Sequence, residues 1–406
     1  MLEVGMMKMA FKNILRNKRR SFLTALSLFV ASFVVVALYG YVQGFLNGTK
    51  EAVINLETGH ITIARTEYLR KRVFLPVDEL IEEPSPIIHN LLKFKEVKLV
   101  APRIKFTALI SRDNTTKPAY VMAIDPEKEK STINIKSRII TGSGNLESGF
   151  ILGKELANSL KINPGDTLII LSRTTLGGLN GIKLPVSGIA NFGMSTLNRS
   201  FILMSLKHAR KLLKTKEGAS EILLFLQNDK QIPELKTKLK LPPDLDAKSY
   251  MELLGTFGVY FKLAGVFYGF IYILIIGLAT FAIINTMTVA VFERLREIGT
   301  LKAIGMTDNE VFMLFGMEGT MLGALGGFFG SLLGLLFAYG LSIKGINVES
   351  ILKNTAFPMP YIIRPEANFK VFLFAFLLTL IISALSSVFP ALYARKLTPQ
   401  EALRQV

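Results

Sequence analysis

The sequence predicts an α-helical membrane protein with four transmembrane helices and one α+β extracytoplasmic domain, both termini being cytoplasmic. Three observations lead there. Half of the 406 residues are hydrophobic and the mean hydropathy is +0.40, too apolar for a soluble chain of this length. Four stretches carry no charge at all: Ser21 to Thr49, Leu263 to Phe292, Gly319 to Ile343 and Val371 to Ala394, each longer than the roughly 20 residues a helix needs to cross the hydrocarbon core. Six of the first twenty residues are Lys or Arg against a single Glu3, and basic flanks are hard to translocate.

The resulting order is a basic cytoplasmic segment (1–20), a first span (21–49), an extracytoplasmic domain (50–260), a second span (261–291), a cytoplasmic loop (292–306), a third span (307–343), an outer loop (344–370), a fourth span (371–394) and a cytoplasmic tail (395–406). The first span has the basic prelude of a secretory signal in Lys12, Arg16, Lys18, Arg19 and Arg20. A cleavable apolar core is only about 7 to 15 residues, however, so this run is retained as a helix. The first two runs would reach roughly 43 to 45 Å as helices, against roughly 30 Å of hydrocarbon. Either they tilt, or they continue outward through KEAVINLE (50–57) and YMELLGTFGVYFK (250–262) as a stalk.

Residues 50–260 have the texture of an α+β domain, in one lobe or two. Strand-like runs at 60–64, 119–124, 167–172 and 222–226 alternate with helical patterns at 154–160 and 206–213. Turn signals DPE (125–127), NPGD (163–166) and LPPD (241–244) separate them. In the third span Gly319, Gly323 and Gly327 recur every fourth residue beside a second row, Gly326, Gly330 and Gly334. Such rows let helices approach backbone to backbone, within this chain or at a subunit interface. Glu318, at the head of that span, reads either as a buried functional carboxylate or as a hydrated residue facing a helix dipole, the latter fitting its position near the surface.

The missing chemistry is informative. The formal charge of +17 is spread over both sides of the membrane and lacks the interleaved aromatics of a nucleic-acid surface; the basic blocks fit topology and anionic lipid. There is no cysteine, which excludes disulfides and thiolate metal sites. His60, His89 and His208 are widely separated, so no metal site is expected and no zinc-protease motif occurs. The glycine-rich LGGLNGIK (176–183) lacks P-loop spacing. The spans carry no row of ionisable groups for an ion or proton path. Any work must therefore be driven from outside this chain.

The cytoplasmic loop is where such a drive could enter. Val291, Leu295, Ile298, Leu301 and Ile304 form an apolar stripe, while Glu293, Arg294, Arg296, Glu297 and Lys302 cover the rest. Glu293 with Arg296, and Arg294 with Glu297, have pairing distance in sequence. Gly305 supplies a stop, and Thr307 to Glu310 a capping box that restarts the chain as the third span. Gly299 costs roughly 1 kcal/mol against alanine in a helix, which suggests a close neighbour. Lipid would favour a mostly basic polar face; the balanced charges here favour a protein partner.

These residues, E-R-x-R-E-I-G-x-L-K-A-I-G followed by Glu318-Gly319 and a glycine-rich span, resemble the coupling helix of FtsX/MacB-type ABC transporter permeases. The resemblance extends to KNILRNKRRS (12–21) and LTPQEAL (397–403), while TGHITI (58–63) and ILGKELANSLKINPGDTLIILS (151–172) are most similar to Lol-type (LolC/LolE) lipoprotein-releasing permeases. It implies a MacB-like periplasmic core domain, a bacterial inner-membrane location, and a hetero- or homodimer with a second FtsX-like permease on a cytoplasmic P-loop ATPase dimer. This chain would bind no cofactor; ATP and Mg would sit on the partner. The ATPase would receive Glu293, Arg294, Arg296, Glu297, Gly299, Lys302 and Gly305. Lipoprotein would be lifted from the outer leaflet by mechanotransmission and passed to a periplasmic carrier, with Phe33, Tyr39, Phe45, Phe267 and Tyr268 as cavity candidates. Leu176, Gly177, Gly178, Leu179 and Pro185 are the carrier-contact candidates, in a loop shorter and more glycine-rich than the family's. Two other functions stay open: a MacB-like exporter of peptides or small molecules, and an FtsX-like signalling permease controlling a cell-wall hydrolase.

Overall fold

A computed structural model describes residues 2–112, 115–352, 360–396, 398 and 400. Positions 353–359 of the outer loop and most of the 397–403 stretch lie outside them. The chain divides into two compact units, one of residues 1–46, 260–346 and 363–406, the other of residues 47–259 and 347–362.

The first unit is helical. Its four long helices, Lys18–Val53, Thr256–Glu293, Asp308–Lys344 and Phe369–Lys396, are long and apolar enough to cross a membrane. The first runs without a break for 36 residues, about 54 Å at 1.5 Å per residue. The second is preceded by a short capped helix, Tyr250–Leu254, from which Gly255 separates it at φ 50°. Its apolar window is only 6% buried, against 28–44% for the other three, so Val266, Phe267, Phe270, Ile273 and Phe281 present their side chains outward.

The third span begins on a capping box. Thr307 Oγ1 accepts from Glu310 N, and Glu310 Oε2 accepts from Thr307 N at 2.7 Å, so the orphan amides of the first turn are satisfied locally. The two glycine rows face two different helices. A Cβ at Gly319 or Gly323 would lie 2.5 or 2.3 Å from the β-carbons of Ser387 and Ser383 on the fourth span. At Gly326 and Gly330 it would lie 2.5 and 2.2 Å from the carbonyl oxygens of Ala25 and Phe29 on the first, and at Gly334 2.9 Å from Val36. Hydroxyls seal these approaches: Ser383 Oγ donates to Gly319 O at 2.6 Å and Ser32 Oγ to Gly326 O at 3.4 Å.

An additional helix, Leu2–Arg16, precedes the first span. Met6, Ala10 and Ile14 recur every four residues and are buried, and the helix packs on the third span, with Ile14 in one cluster with Ile298, Val311 and Phe315. The segment expected to be simply a basic cytoplasmic leader is thus a structured part of this unit.

The second unit is built on one ten-stranded sheet: β1 Ile61–Arg65, β2 Val97–Arg112, β3 Thr115–Ile124, β4 Ile139–Gly142, β5 Phe150–Gly153, β6 Thr167–Arg173, β7 Leu179–Ala190, β8 Phe201–Ser205, β9 Glu221–Leu226 and β10 Leu245–Ser249. The order is β10-β1-β9-β2-β3-β8-β5-β7-β4, with β6 pairing β2 and β7. The 16-residue β2 links two lobes. Its first half pairs with β9 and its second with β3 and β6. One core gathers Ile61, Ile63, Val100, Ile222, Leu224 and Leu235; another gathers Ile104, Phe106, Val121, Leu152, Ile202 and Leu212. Each alternates along its strands with the opposite face, as a pleated strand requires.

Candidate functional site

The short helix between the second and third spans is Leu295–Ala303. The second span ends at Glu293, Arg294 breaks the helix at φ −113°, and Gly305 terminates the turn at φ 111°, a left-handed value that suits glycine. Leu295, Ile298 and Gly299 face inward and are buried. Glu293, Arg296, Glu297, Thr300, Ala303 and Ile304 face outward.

This helix is bolted to its own unit by charge. Glu318 is fully buried; Arg294 Nη1 donates to its Oε2 at 3.0 Å and Arg20 Nη2 to its Oε1 at 3.4 Å. Arg294 also lies over the Phe315 ring at 5.5 Å and donates Nε to Glu297 Oε2 at 2.9 Å. Arg20 donates its other nitrogen to Glu293 Oε2 at 2.9 Å, and Arg16 pairs with Glu297. Burial works to raise the Glu297 carboxyl, but Arg294 and Arg16 outweigh it and hold the group below the usual carboxylate range. Lys302 Nζ closes the far end by donating to Asp308 Oδ1 at 2.8 Å and Arg395 O at 2.7 Å. The nine-residue helix is therefore tied through Glu297 and Lys302 to the N-terminal helix, the head of the third span and the end of the fourth, while Glu293 and Arg294 at its entry hold Arg20 of the first span and Glu318.

Four sequence expectations change here. Glu318 is neither hydrated nor held by a helix dipole alone; it is the buried centre of an Arg20–Glu318–Arg294 cluster, because a carboxylate removed from water needs paired cations. Glu293 is held by Arg20 rather than by Arg296, its neighbour in sequence. Gly299 is buried within its own chain, and Arg294 and Lys302 are paired internally. Ile304, assigned to the inward stripe, is 80% exposed. The outward face is Glu293, Arg296, Glu297, Thr300 and Ile304, with Gly305 beside it; of these, Glu293 is paired to Arg20, and Glu297 to Arg16 and Arg294. Arg20 and Arg16 were missed as members of the site. The Met6, Ala10, Ile14 spacing was the signal that could have drawn them in.

The other candidate sites are less assembled. Phe33 packs on Phe337 of the third span at 5.5 Å. Phe267 and Tyr268 meet edge to face at 5.8 Å, and Phe267 is 62% exposed. A narrow crevice of about 20 Å³ lies between the first, second and fourth spans, lined by Leu28, Ser32, Val35, Ile276, Ala279 and Ile382. None of the five aromatics, Tyr39 and Phe45 included, lines it. In the second unit β6 and β7 form a hairpin whose turn closes through Thr174 N to Gly178 O at 2.7 Å, with Gly177 at φ 87°. Leu176 and Leu179 stand at its tip, each 86% exposed. Pro185 does not join them: it lies opposite Thr167 at the base of the hairpin. Among the described residues no group of three or more His, Cys, Asp or Glu could hold a metal ion.

The described residues thus combine four apolar helices, a charge-bolted helix between the second and third, and a two-lobed α+β domain between the first and second. The family model for the MacB-like periplasmic core domain matches residues 21–240, and that for the FtsX-like permease C-terminal region matches residues 269–399. The chain belongs to this MacB/FtsX-like family of ABC transporter permeases. It is 24% identical over 320 residues to the lipoprotein-releasing system transmembrane protein LolC of Xylella fastidiosa, covering 75% of this chain and 77% of that protein. It is 24% identical over 358 residues to LolE of Haemophilus influenzae, covering 81% and 85%. The crystal structure of the periplasmic region of MacB from Actinobacillus actinomycetemcomitans aligns with 50% of this chain and 95% of its own, at 14% identity and a TM-score of 0.35.

Proposed function

We propose that this chain is the permease subunit of a lipoprotein-releasing ABC transporter in the bacterial inner membrane. A P-loop ATPase dimer on the cytoplasmic side, which binds ATP and Mg²⁺, docks on the outward stripe of the Leu295–Ala303 helix. Closure of that motor on ATP moves the long helices and the extracytoplasmic domain, and so lifts an acylated protein out of the membrane. The observation that carries this reading is the helix itself. Its inner face is bolted by Arg20, Arg294, Glu318 and Lys302 to the helices it must move, while Arg296, Thr300 and Ile304 are exposed on the outer face.

A second permease, this chain or a homologue, covers the sparsely packed second span, and Leu176 and Leu179 offer an apolar tip to a soluble carrier. The relatives named as lipoprotein-releasing proteins support the substrate class. Both termini lie in the cytoplasm, on the side of the basic segment.

The substrate claim is tested by a photocrosslinking residue at Phe267, with Phe33 as a second position, in the complex with its ATPase. An ATP-dependent adduct carrying an acylated lipoprotein is expected. Undiminished ATP turnover with no lipoprotein adduct at either position would turn the reading toward export of another cargo or toward signalling.

A further inference from the structure

The long helix of the first span does not fray where it enters the α+β domain. It ends in a π turn, Ile54–Thr58, and the last four carbonyls of an α-helix have no partner within the helix. Here each carbonyl from Ile54 to Thr58 has one. Gly59 N donates to Ile54 O at 2.8 Å. Arg103 donates Nη2 to Asn55 O and Nη1 to Leu56 O, both at 2.8 Å, and Lys105 Nζ donates to Glu57 O. Thr62 Oγ1 donates to Thr58 O at 2.6 Å.

The two cations come from one strand. Arg103 and Lys105 are two apart on β2, so they project from the same face of the sheet, the face where Ala101 packs on Ile54. Both are buried, at 0% and 1% exposure. Each is backed by a buried carboxylate: Glu129 receives Arg103 through Nε at 3.0 Å and Nη2 at 2.5 Å, and Glu221 receives Lys105 at 2.6 Å and Arg72 at 2.9 Å. Positive charge at a helix C-terminus is favourable. An ion pair serving the sheet alone would have no need to place three charged hydrogen bonds on three consecutive helix carbonyls.

We infer that Arg103 and Lys105, held by Glu129 and Glu221, are positioning residues that clamp the end of the first-span helix to the sheet, so that displacement of the helix moves the domain rather than unwinding its last turn. The inference rests on the mechanical reading above and assigns that role to residues which touch neither membrane nor cargo.

The test uses the full chain with its ATPase. Arg103→Lys keeps the charge but cannot span two carbonyls and Glu129. Arg103→Met with Glu129→Leu removes the buried pair together, so that no lone charge is left to unfold the domain. Amide exchange across residues 50–60 is expected to quicken about tenfold or more in both variants, while ATP turnover persists and cargo released per ATP falls. Glu129→Gln, which takes away the carboxylate that holds Arg103, is expected to quicken the same amides. Wild-type exchange and wild-type coupling in the paired variant would overturn the clamp. Exchange needs no cargo, so failure of the wild type to release lipoprotein would count against the proposed function and leave the clamp decided by its own readout.

Discussion

Arg294→Met destabilises the permease by about 3–5 kcal/mol, because it strands the buried Glu318 carboxylate with only Arg20 in reach. Arg20 sits at 3.4 Å and is shared with Glu293, whereas Arg294 approaches to 3.0 Å from a side chain only 7% exposed. The opposing case is set by the double variant. Removing both charges with Arg294→Met and Glu318→Leu leaves an apolar contact beside Phe315, and such replacements are often neutral. Unfolding of the detergent-solubilised protein is therefore expected to show a large loss for the single variant and recovery of most of it in the double. A single variant as stable as wild type would mean that the cluster does not hold the Leu295–Ala303 helix.

The second large effect lies in the α+β domain and depends on pH. Burial pushes the Glu221 carboxyl up, but Lys105 and Arg72 outweigh it and hold the group at about 2, below the ordinary 4.5. A carboxyl depressed in the folded state adds stability above its unfolded pKa and loses it as the pH falls through the folded value. The contribution is of the order of 3 kcal/mol at neutral pH, lost between about pH 5 and pH 2. In Glu221→Gln, Lys105 and Arg72 lose the carboxylate between them, and Lys105 keeps only the more distant Glu57 Oε2 at 3.7 Å. That variant is expected to be less stable by about 3–5 kcal/mol at pH 7 and to show a shallower fall on acidification. An acid limb identical to wild type would remove Glu221 from this role.

Much of this architecture was legible in the residues themselves. The four uncharged runs match the four long helices, and the capping box at Thr307 and Glu310 marks the head of the third span as the hydrogen bonds do. The strand-like runs at 60–64, 119–124, 167–172 and 222–226 each fall on a strand. The longest strand escaped notice for a physical reason: Val97–Arg112 carries Pro102, Arg103 and Lys105 at its centre. Buried cations interrupt the apolar alternation that a strand is read from, and their carboxylate partners are 26 and 116 residues away. The Leu295–Ala303 helix was legible as a helix but not in its orientation. Local spacing suggested Glu293 with Arg296, and only the fold brings Arg20 from 273 residues away. Its apolar stripe was right at Val291, Leu295 and Ile298 and failed at Ile304, where the turn toward Gly305 carries the side chain out. The β6–β7 hairpin was found as a glycine-rich loop, yet its register, which sends Pro185 to the base, is a pairing between strands that sequence spacing does not specify.

The central claim is that the outward stripe of the Leu295–Ala303 helix receives a cytoplasmic ATPase. The chain has no cysteine, so single substitutions Arg296→Cys, Thr300→Cys and Ile304→Cys each provide one reactive thiol, with Ile298→Cys as the buried control. Short-range crosslinking in membranes that contain the partner is predicted to join the ATPase at 296, 300 and 304 and to spare 298. Crosslinks that fail at all three outward positions, or that form at 298 as readily, would contradict the account.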